Sequence, residues 1–495
     1  MTEYSSRQFL IDDQPGTVFP LRISRFLAEH AFEDILQHVY ERVLRTEDKE
    51  HKFSSQIRCY SSKHGFHCRR TMKLDPVAEH FIYDLVYRNR HSFRKDFAPH
   101  RRSFGYRFED GKPVSVSAGY SAFRSAVAEA RSRYRFGVKC DVASYFNTVY
   151  HHDLVNWFQE QGRTEEDAKA FGQFLREINS GRTVDCLPQG IYPTKIIGAE
   201  FLKFIDDSIR LRSGLFLRFM DDICWFDDSE ATVQADFFSI QRMLGEKGLS
   251  VNSEKTELGA VRLANLPKKV DEIKAGLLQI RRRVVDVSEF EFEIEEEETI
   301  KLTGEQTDYL LTLLRDSEIT EQDAELVLAL LRDHGGEVLS RMGTFLERFP
   351  SLTRSFFSFS RFIEDRPRLA EMVDRFLREV AHASEDQLFW LTKIVDHYLL
   401  DTARVSEILR ILYEHPNATL LTQAKLLEIQ DNRYGLSDLR HEHLRAGSSE
   451  WRSWAAAVGC TAESAARRNH VLGYFANGSP INRLIADCVC SAPSP

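Results

Sequence analysis

The sequence predicts an α+β region built on an antiparallel sheet, followed by an all-α region, and three observations carry that expectation. Strand-like and helix-like segments alternate from Tyr134 to about Leu258. An acidic run from Ser288 to Glu298 interrupts the pattern, and beyond it apolar residues recur at helical spacing. At 495 residues the chain is too long for one ordinary core. The expected division is an N-terminal region (1–135), a sheet region (136–270), an acidic connector (271–300) and a helical region (301–495).

Each element has its own reason. "RFGVKCDVASYF" begins as an apolar strand ending near Asp141, and "HHDLVNWFQEQ" reads as a helix with His152 and Asp153 near its start. "YPTKIIGAEFLKFIDDSIRL" follows as one longer helix. "LRFMDDICWF" reads as two short half-buried strands joined by a tight turn at Met220 and Asp221, which pushes Asp221 and Asp222 out at the tip. After three arginines at 281–283, "SEFEFEIEEEE" alternates Phe and Glu with the period of an edge strand, and its glutamate end is a solvated linker. Leu369, Met372, Val373, Phe376, Leu377 and Val380 form one apolar stripe of a helix. Leu388, Leu391, Ile394, Val395 and Tyr398 form a second; Val405, Ile408, Leu409 and Leu412, stopped by Pro416, form a third. Stripes begin 17 to 19 residues apart, so helix pairs repeat at about the length of a HEAT-like unit.

Composition narrows the class. With 42% hydrophobic and 28% charged residues, the chain is expected to fold rather than remain disordered. No apolar run reaches the ~18 residues of a membrane span, and the start "MTEYSSRQFLIDDQPG" is polar and acidic, so no membrane association and a cytoplasmic location are expected. Eight scattered cysteines suit a reducing compartment. Cys59, His64, His67 and Cys68 are zinc-ligand types, but their spacing matches no common zinc module. The net charge of −9 hides an asymmetry: residues 51–150 carry 19 Lys and Arg against 8 Asp and Glu, whereas residues 271–495 carry 26 against 38. The basic stretch, interleaved with Phe66, Tyr83, Tyr87, Phe93, Phe104, Tyr106 and Phe108, suits a nucleic-acid groove.

The chemistry gathers at three carboxylates. Crowding Asp221 and Asp222 in an apolar run is costly unless a cation sits between them, although a surface acidic turn has the same local pattern. Asp141, 80 residues upstream at the end of an apolar strand, supplies a third carboxylate. Three carboxylates from neighbouring strands can hold two Mg²⁺ ions, which prefer a few carboxylates plus waters and substrate phosphates. Such a pair activates a 3′-hydroxyl and supports a departing pyrophosphate. Between them, "CLPQGIYPT" places Gln189 on a turn made by Pro188 and Gly190.

Together these pieces resemble the reverse transcriptase family. "KCDVASYFNTVYHHDL" is similar to its first palm motif, "LPQG" to its second, "FMDD" to its Y-x-D-D box and "GLSVNSEKTEL" to the fourth motif of group II intron and retron enzymes. Upstream, "SFGYRF" and "YSAFRSAV" resemble the stretch before the first motif, so the likeness covers roughly residues 55–260. It implies a right-hand polymerase with fingers in residues 1–135 and palm in 136–270. By position it implies that Asp141 and Asp221 are metal ligands, Asp222 the third carboxylate and the Val142 carbonyl a further ligand. It implies that Phe146 is the gate that excludes a ribose 2′-hydroxyl, that Gln189 touches the incoming nucleotide, that Lys255 lies near the pyrophosphate, and that Arg70 with Arg69 clamps the triphosphate. Lys255 in a surface salt bridge is the competing reading.

Two departures stand out: Phe219 replaces the Tyr of the box, and "GIYPTKIIG" replaces the usual Gly-Ser-Pro run. No maturase thumb, RNase H, protease or integrase segment is recognisable, and the helical half resembles that of bacterial abortive-infection and defence-associated reverse transcriptases. The implied function is Mg²⁺-dependent DNA synthesis in antiphage defence, using deoxynucleoside triphosphates with an RNA template, a dedicated non-coding RNA among the options, or extending DNA untemplated from a protein hydroxyl. The alternatives are a degenerate polymerase fold serving as an RNA-binding scaffold and an RNA-dependent RNA polymerase. An extended helical array also offers faces for a homo-oligomer.

Overall fold

The structure, a computed structural model, describes residues 4–45, 51–93, 98–184, 187–260, 273, 274, 276–278, 280 and 302–492. The arginines at 281–283 and the Phe/Glu alternation at 288–298 lie outside the described residues. The chain forms two compact units. One comprises Met1–Val18, Leu36–Arg58 and Thr71–Lys269; the other comprises Phe19–Ile35, Cys59–Arg70 and Val270–Pro495.

Nine strands occur among the described residues: β1 (Ile57–Ser62), β2 (Cys68–Lys73), β3 (Arg101–Ser103), β4 (Phe108–Glu109), β5 (Lys112–Pro113), β6 (Phe136–Asp141), β7 (Leu215–Phe219), β8 (Asp222–Asp227) and β9 (Glu257–Ala260). In the first unit, five of them build a sheet in the order β3-β7-β8-β6-β9. All its pairings are antiparallel except at one edge, where β3 runs parallel to β7. The expectation of an antiparallel sheet therefore holds for four strands. β3 joins in parallel because the chain returns to the sheet edge through a long crossover rather than a hairpin.

The hairpin strands are more buried than expected. Ile223, Cys224, Trp225 and Phe226 are all buried, so β8 is covered on both faces rather than half-buried. On one face Leu217, Cys224 and Phe226 pack with Phe104, Phe123, Ala126 and Ala130, drawn largely from the helix Val116–Arg133. Gly119 lets that helix approach: a Cβ there would lie 2.6 Å from the Phe104 carbonyl oxygen. On the other face the helix Glu230–Gly245 accepts the Trp225 indole N–H on the Val233 carbonyl at 3.0 Å.

The expected long helix after "LPQG" is broken. It runs Tyr192–Phe201, turns at Leu202 and resumes only for Lys203–Asp206. Buried Arg101 accounts for the stop, because its guanidinium donates to the carbonyls of Asp206 (3.0 Å), Ser208 and Leu211 (2.7 Å) that further helix would have used.

The second unit is a stack of helices. Glu321–Leu330, Thr353–Phe359, Glu385–Ile394, Leu420–Leu427, Trp451–Gly459 and Pro480–Ser491 each pack on the next of their row. Helices such as Gly335–Arg348, Arg366–Glu379 and Val405–Glu414 alternate with them in a second row. The first-row helices begin 29 to 35 residues apart, shorter than the ~40–47 residues of a HEAT repeat. Leu369, Met372, Val373, Phe376 and Leu377 are buried, as are Leu388, Leu391 and Ile394, and Val405, Ile408, Leu409 and Leu412. Among the described residues, no helix is long and apolar enough to cross a membrane.

Candidate active site

The first unit's sheet brings Asp141 and Asp222 together by register. Asp141 ends β6 and Asp222 begins β8, and the two are paired across the strands. Residues directly opposite in an antiparallel pair project from the same face with Cβ atoms ~5 Å apart. Phe219 pairs with Asp222, which leaves only Met220 and Asp221 in the hairpin loop. Met220 has φ of +56° and Asp221 does not share the positive sign, the pattern of a type II′ turn.

Methionine in the left-handed region is strained, and the strain is held from beneath. Arg218 is fully buried and donates from Nη1 to the Met220 carbonyl at 2.9 Å. Its Nε and Nη2 grip both carboxylate oxygens of buried Asp206 at 2.8 and 2.5 Å. A bidentate pair of this kind fixes direction as well as charge. The broken helix therefore serves the site, since its second piece carries Asp206.

The electrostatics of the cluster are those of carboxyls forced together. Burial, then the charge of Asp141 and a hydrogen bond shared with it, push the Asp221 carboxyl up to about 7. Burial also raises Asp222, with Lys139 pulling the other way. Lys255 reaches Asp141 Oδ2 with its Nζ at 2.8 Å, and this bond is the chief cause that raises its ammonium. The chain thus brings Lys255 into the cluster as an ion-pair partner of Asp141.

Asp141, Asp221 and Asp222 together are hard oxygen donors whose mutual repulsion a cation or a proton must relieve. The Val142 carbonyl lies beside them and is not consumed by the neighbouring bridge. That bridge runs from the Ala143 N–H to the Ser250 carbonyl and from the Asn252 N–H to the Asp141 carbonyl. The donor set suits a divalent metal ion.

Two other expected site residues converge on one loop. Phe146 lies on the short helix Tyr145–Thr148 with its ring against Gly198, where a Cβ would lie 2.9 Å from Phe146 Cζ. The Phe146 carbonyl accepts the Leu187 N–H at 2.7 Å, tying it to "LPQG". Gln189 is held through its main chain: Thr71 Oγ1 donates to its carbonyl at 2.8 Å and accepts its N–H at 3.0 Å. Gly190 has φ of +92°, and a Cβ on it would run into Val18. Arg69 and Arg70 lie on β2 within the helical unit, so they are not among the residues that the sheet unit gathers. Phe219 occupies the place of the box tyrosine and packs on Tyr120, Phe123 and Tyr106 at ring separations of 5.0, 6.0 and 6.3 Å.

Cys59, His64, His67 and Cys68 do not converge. Among the described residues the one group of three metal-ligand types in close contact is His441, Cys460 and Glu463. His64 instead pairs with Glu321. The residues that sequence reasoning missed are Arg218 and Asp206. A signal existed in "LFLRF", where a charge in an apolar strand demands a buried partner.

Residues 95–304 match the family model described as reverse transcriptase (RNA-dependent DNA polymerase), and this stretch is a reverse transcriptase domain. No curated protein matches the sequence. Among solved structures, apo telomerase from Candida tropicalis is 12% identical, with 74% of this chain and 72% of that one covered, at a TM-score of 0.32. Telomerase from the same organism with the TWJ fragment of telomeric RNA is 12% identical over 78% and 63%, at a TM-score of 0.32. Telomerase from Candida albicans with that fragment is 13% identical over 82% and 69%, at a TM-score of 0.28. Superpositions this loose transfer no residue roles.

Proposed function

We propose that the reverse transcriptase domain is an active Mg²⁺-dependent polymerase that makes DNA. The observation that carries this reading is the strand register that pairs Asp141 with Asp222 at the foot of the Met220–Asp221 turn, with burial and the charge of Asp141 raising the Asp221 carboxyl to about 7. Three crowded carboxyls with one lysine between them are of no use to a scaffold that binds a polyanion, whereas they are the required ligands of a polymerase. Asp141, Asp221, Asp222 and the Val142 carbonyl would hold two Mg²⁺ ions, which supply charge stabilisation at the attacking 3′-hydroxyl and the departing pyrophosphate.

The chain's own residues supply orientation. Phe146, seated against Gly198, fills the space a ribose 2′-hydroxyl would need and selects deoxynucleotides. Gln189, fixed at its main chain by Thr71, faces the incoming nucleotide. Lys255 balances the charge of Asp141 and would lie near the departing pyrophosphate. Arg69 and Arg70 neutralise the triphosphate. The partners are an RNA template, a DNA product and deoxynucleoside triphosphates.

The remaining assignments rest on likeness of sequence and architecture. Residues 1–135 are the N-terminal region and fingers, 136–270 the palm, 271–300 a connector and 301–495 a HEAT-like repeat domain with shortened units. The pairing of a reverse transcriptase palm with a helical stack suits a cytoplasmic bacterial antiphage system, with self-association through the stack.

The test is incorporation of labelled nucleotides by purified protein with Mg²⁺, comparing the natural chain with Asp221→Asn. Loss of incorporation in the variant is expected; incorporation that survives removes the mechanism. Ribonucleotides used as readily as deoxynucleotides by the natural chain would make it an RNA polymerase instead.

A further inference from the structure

The helical unit holds a buried cluster near its C-terminal end that polymerase chemistry does not use. Cys460 follows the helix Trp451–Gly459 and opens a 3-10 turn, Cys460–Ala462. Glu463 comes next, and its N–H donates to the Cys460 carbonyl at 2.9 Å. Cys460 and Glu463 thus flank two residues of one tight turn, the spacing at which paired zinc ligands commonly stand. His441 comes from the helix before, Leu436–Ala446.

All three residues are buried, and one ligand atom from each lies within 4.8 Å of the other two. His441 Nε2 is 2.9 Å from Glu463 Oε2, and Cys460 Sγ is 3.9 Å from Glu463 Oε1. A tetrahedral Zn²⁺ with ordinary bond lengths sets its nitrogen, oxygen and sulfur ligands about 3.3–3.6 Å apart. The observed separations bracket those edges, so small side-chain shifts suffice to close on an ion.

The turn that carries two of the ligands is fixed in place. A Cβ on Gly459 would run into the Leu427 carbonyl and Arg440, so the turn sits directly against its neighbours. Gln430 Nε2 donates to Thr461 Oγ1 at 2.8 Å, and Thr461 Oγ1 donates to the Val458 carbonyl at 2.7 Å. Ser437 Oγ donates to Glu463 Oε1 at 2.7 Å and orients the carboxylate, as outer partners of a metal ligand do.

Charge fits as well. Arg440, Arg467 and Arg468 lie near enough to Cys460 to favour a thiolate there. Arg440 donates to the carbonyls of Leu427 and Asp431, and Arg468 to those of Cys490 and Ala492, so both guanidiniums are engaged away from the ligands. A thiolate and a carboxylate bring two negative charges, which a divalent ion cancels. Thiolate with imidazole suits zinc, whereas magnesium prefers oxygen alone.

We infer that His441, Cys460 and Glu463 bind a Zn²⁺ ion, with water in the fourth position, and that the ion clips together Leu436–Ala446, Trp451–Gly459 and the following helix Ala465–Phe475. Binding sends the Cys460 thiol proton to solvent and moves the His441 proton to Nδ1, which leaves Nε2 to the ion. The inference does not depend on the polymerase reading.

The test titrates the full chain, stripped of metal by a chelator, with Co²⁺ as an optical probe and then with Zn²⁺. One equivalent of Co²⁺ should give a thiolate-to-cobalt charge-transfer band that Zn²⁺ displaces. The band should be absent in Cys460→Ser and retained in Cys68→Ser, which removes an exposed thiol. Glu463→Gln, close in shape, should weaken Zn²⁺ binding by at least roughly a hundredfold, since loss of an outer partner alone costs about 10–100-fold. Zn²⁺ should raise the melting temperature of the natural chain and of Asp221→Asn alike, but not that of Cys460→Ser. A natural chain without the thiolate band overturns the inference whatever the variants do, because the cluster is then a hydrogen-bond network only. A band that survives in Cys460→Ser overturns it too.

Discussion

Arg218→Met should destabilise the sheet-bearing unit and misplace the hairpin tip. The substitution keeps the buried stem but leaves Asp206, only 4% exposed, with a carboxylate that has lost its bidentate partner. Removing one member of a buried ion pair costs about 3–5 kcal/mol. In a unit of this size, that corresponds to a fall of roughly 6–20 °C in its melting temperature. Adding Asp206→Leu removes the orphaned charge, so the double variant should recover most of that stability. It should not recover nucleotide incorporation, because the Met220 carbonyl still lacks the donor now 2.9 Å away. Calorimetry on the two single variants and the double variant measures the coupling, and incorporation assays on the same proteins read the tip. Full activity in the double variant, or a single variant as stable as the natural chain, would refute the positioning role.

Three further outcomes are expected. The Asp221 carboxyl at about 7 lies above its unfolded value of ~3.9, so the folded chain keeps a proton that the unfolded chain has released. The stability of the natural chain relative to Asp221→Asn should therefore fall as pH rises from ~4 to 7 and level off above it, and Mg²⁺ should reverse the loss above pH 7. A difference that rises with pH in metal-free buffer would contradict this. Phe146→Ala should raise ribonucleotide incorporation relative to deoxynucleotide while costing about 3–5 kcal/mol for the emptied space, read by competition assay and denaturation. Gly190→Ala should unfold or strongly destabilise the chain, because φ of +92° and the approach to Val18 both forbid a Cβ; a soluble variant with an unchanged melting temperature would disprove the packing.

The hairpin tip was legible because carboxylates in an apolar run are expensive and announce a purpose. Met220 and Asp221 do form the turn, and Asp141 does end its strand. The buried faces of the C-terminal stripes were legible for a similar reason, since a period of 3.6 encodes a burial face directly. Two-sided burial of β8 was not legible, because local alternation does not say which helices will cover the second face. The stop after Asp206 was hidden too, since its cause is Arg101, about a hundred residues earlier, which takes the carbonyls of Asp206, Ser208 and Leu211.

The sequence by itself therefore determined the chemical inventory and its order: Asp141, an aromatic at Phe146, the turn at Gln189, the Asp221–Asp222 pair and a helical extension. These are statements about residue type and short-range period, and short-range physics writes them into the chain. Tertiary structure alone decided the register that sets Asp141 opposite Asp222, the buried Arg218–Asp206 clamp beneath the turn, and the assignment of residues 59–70 to the helical unit. Each depends on groups outside one element meeting once the chain has folded, and no local pattern records which of many equivalent carboxylates a given N–H will find once water is excluded.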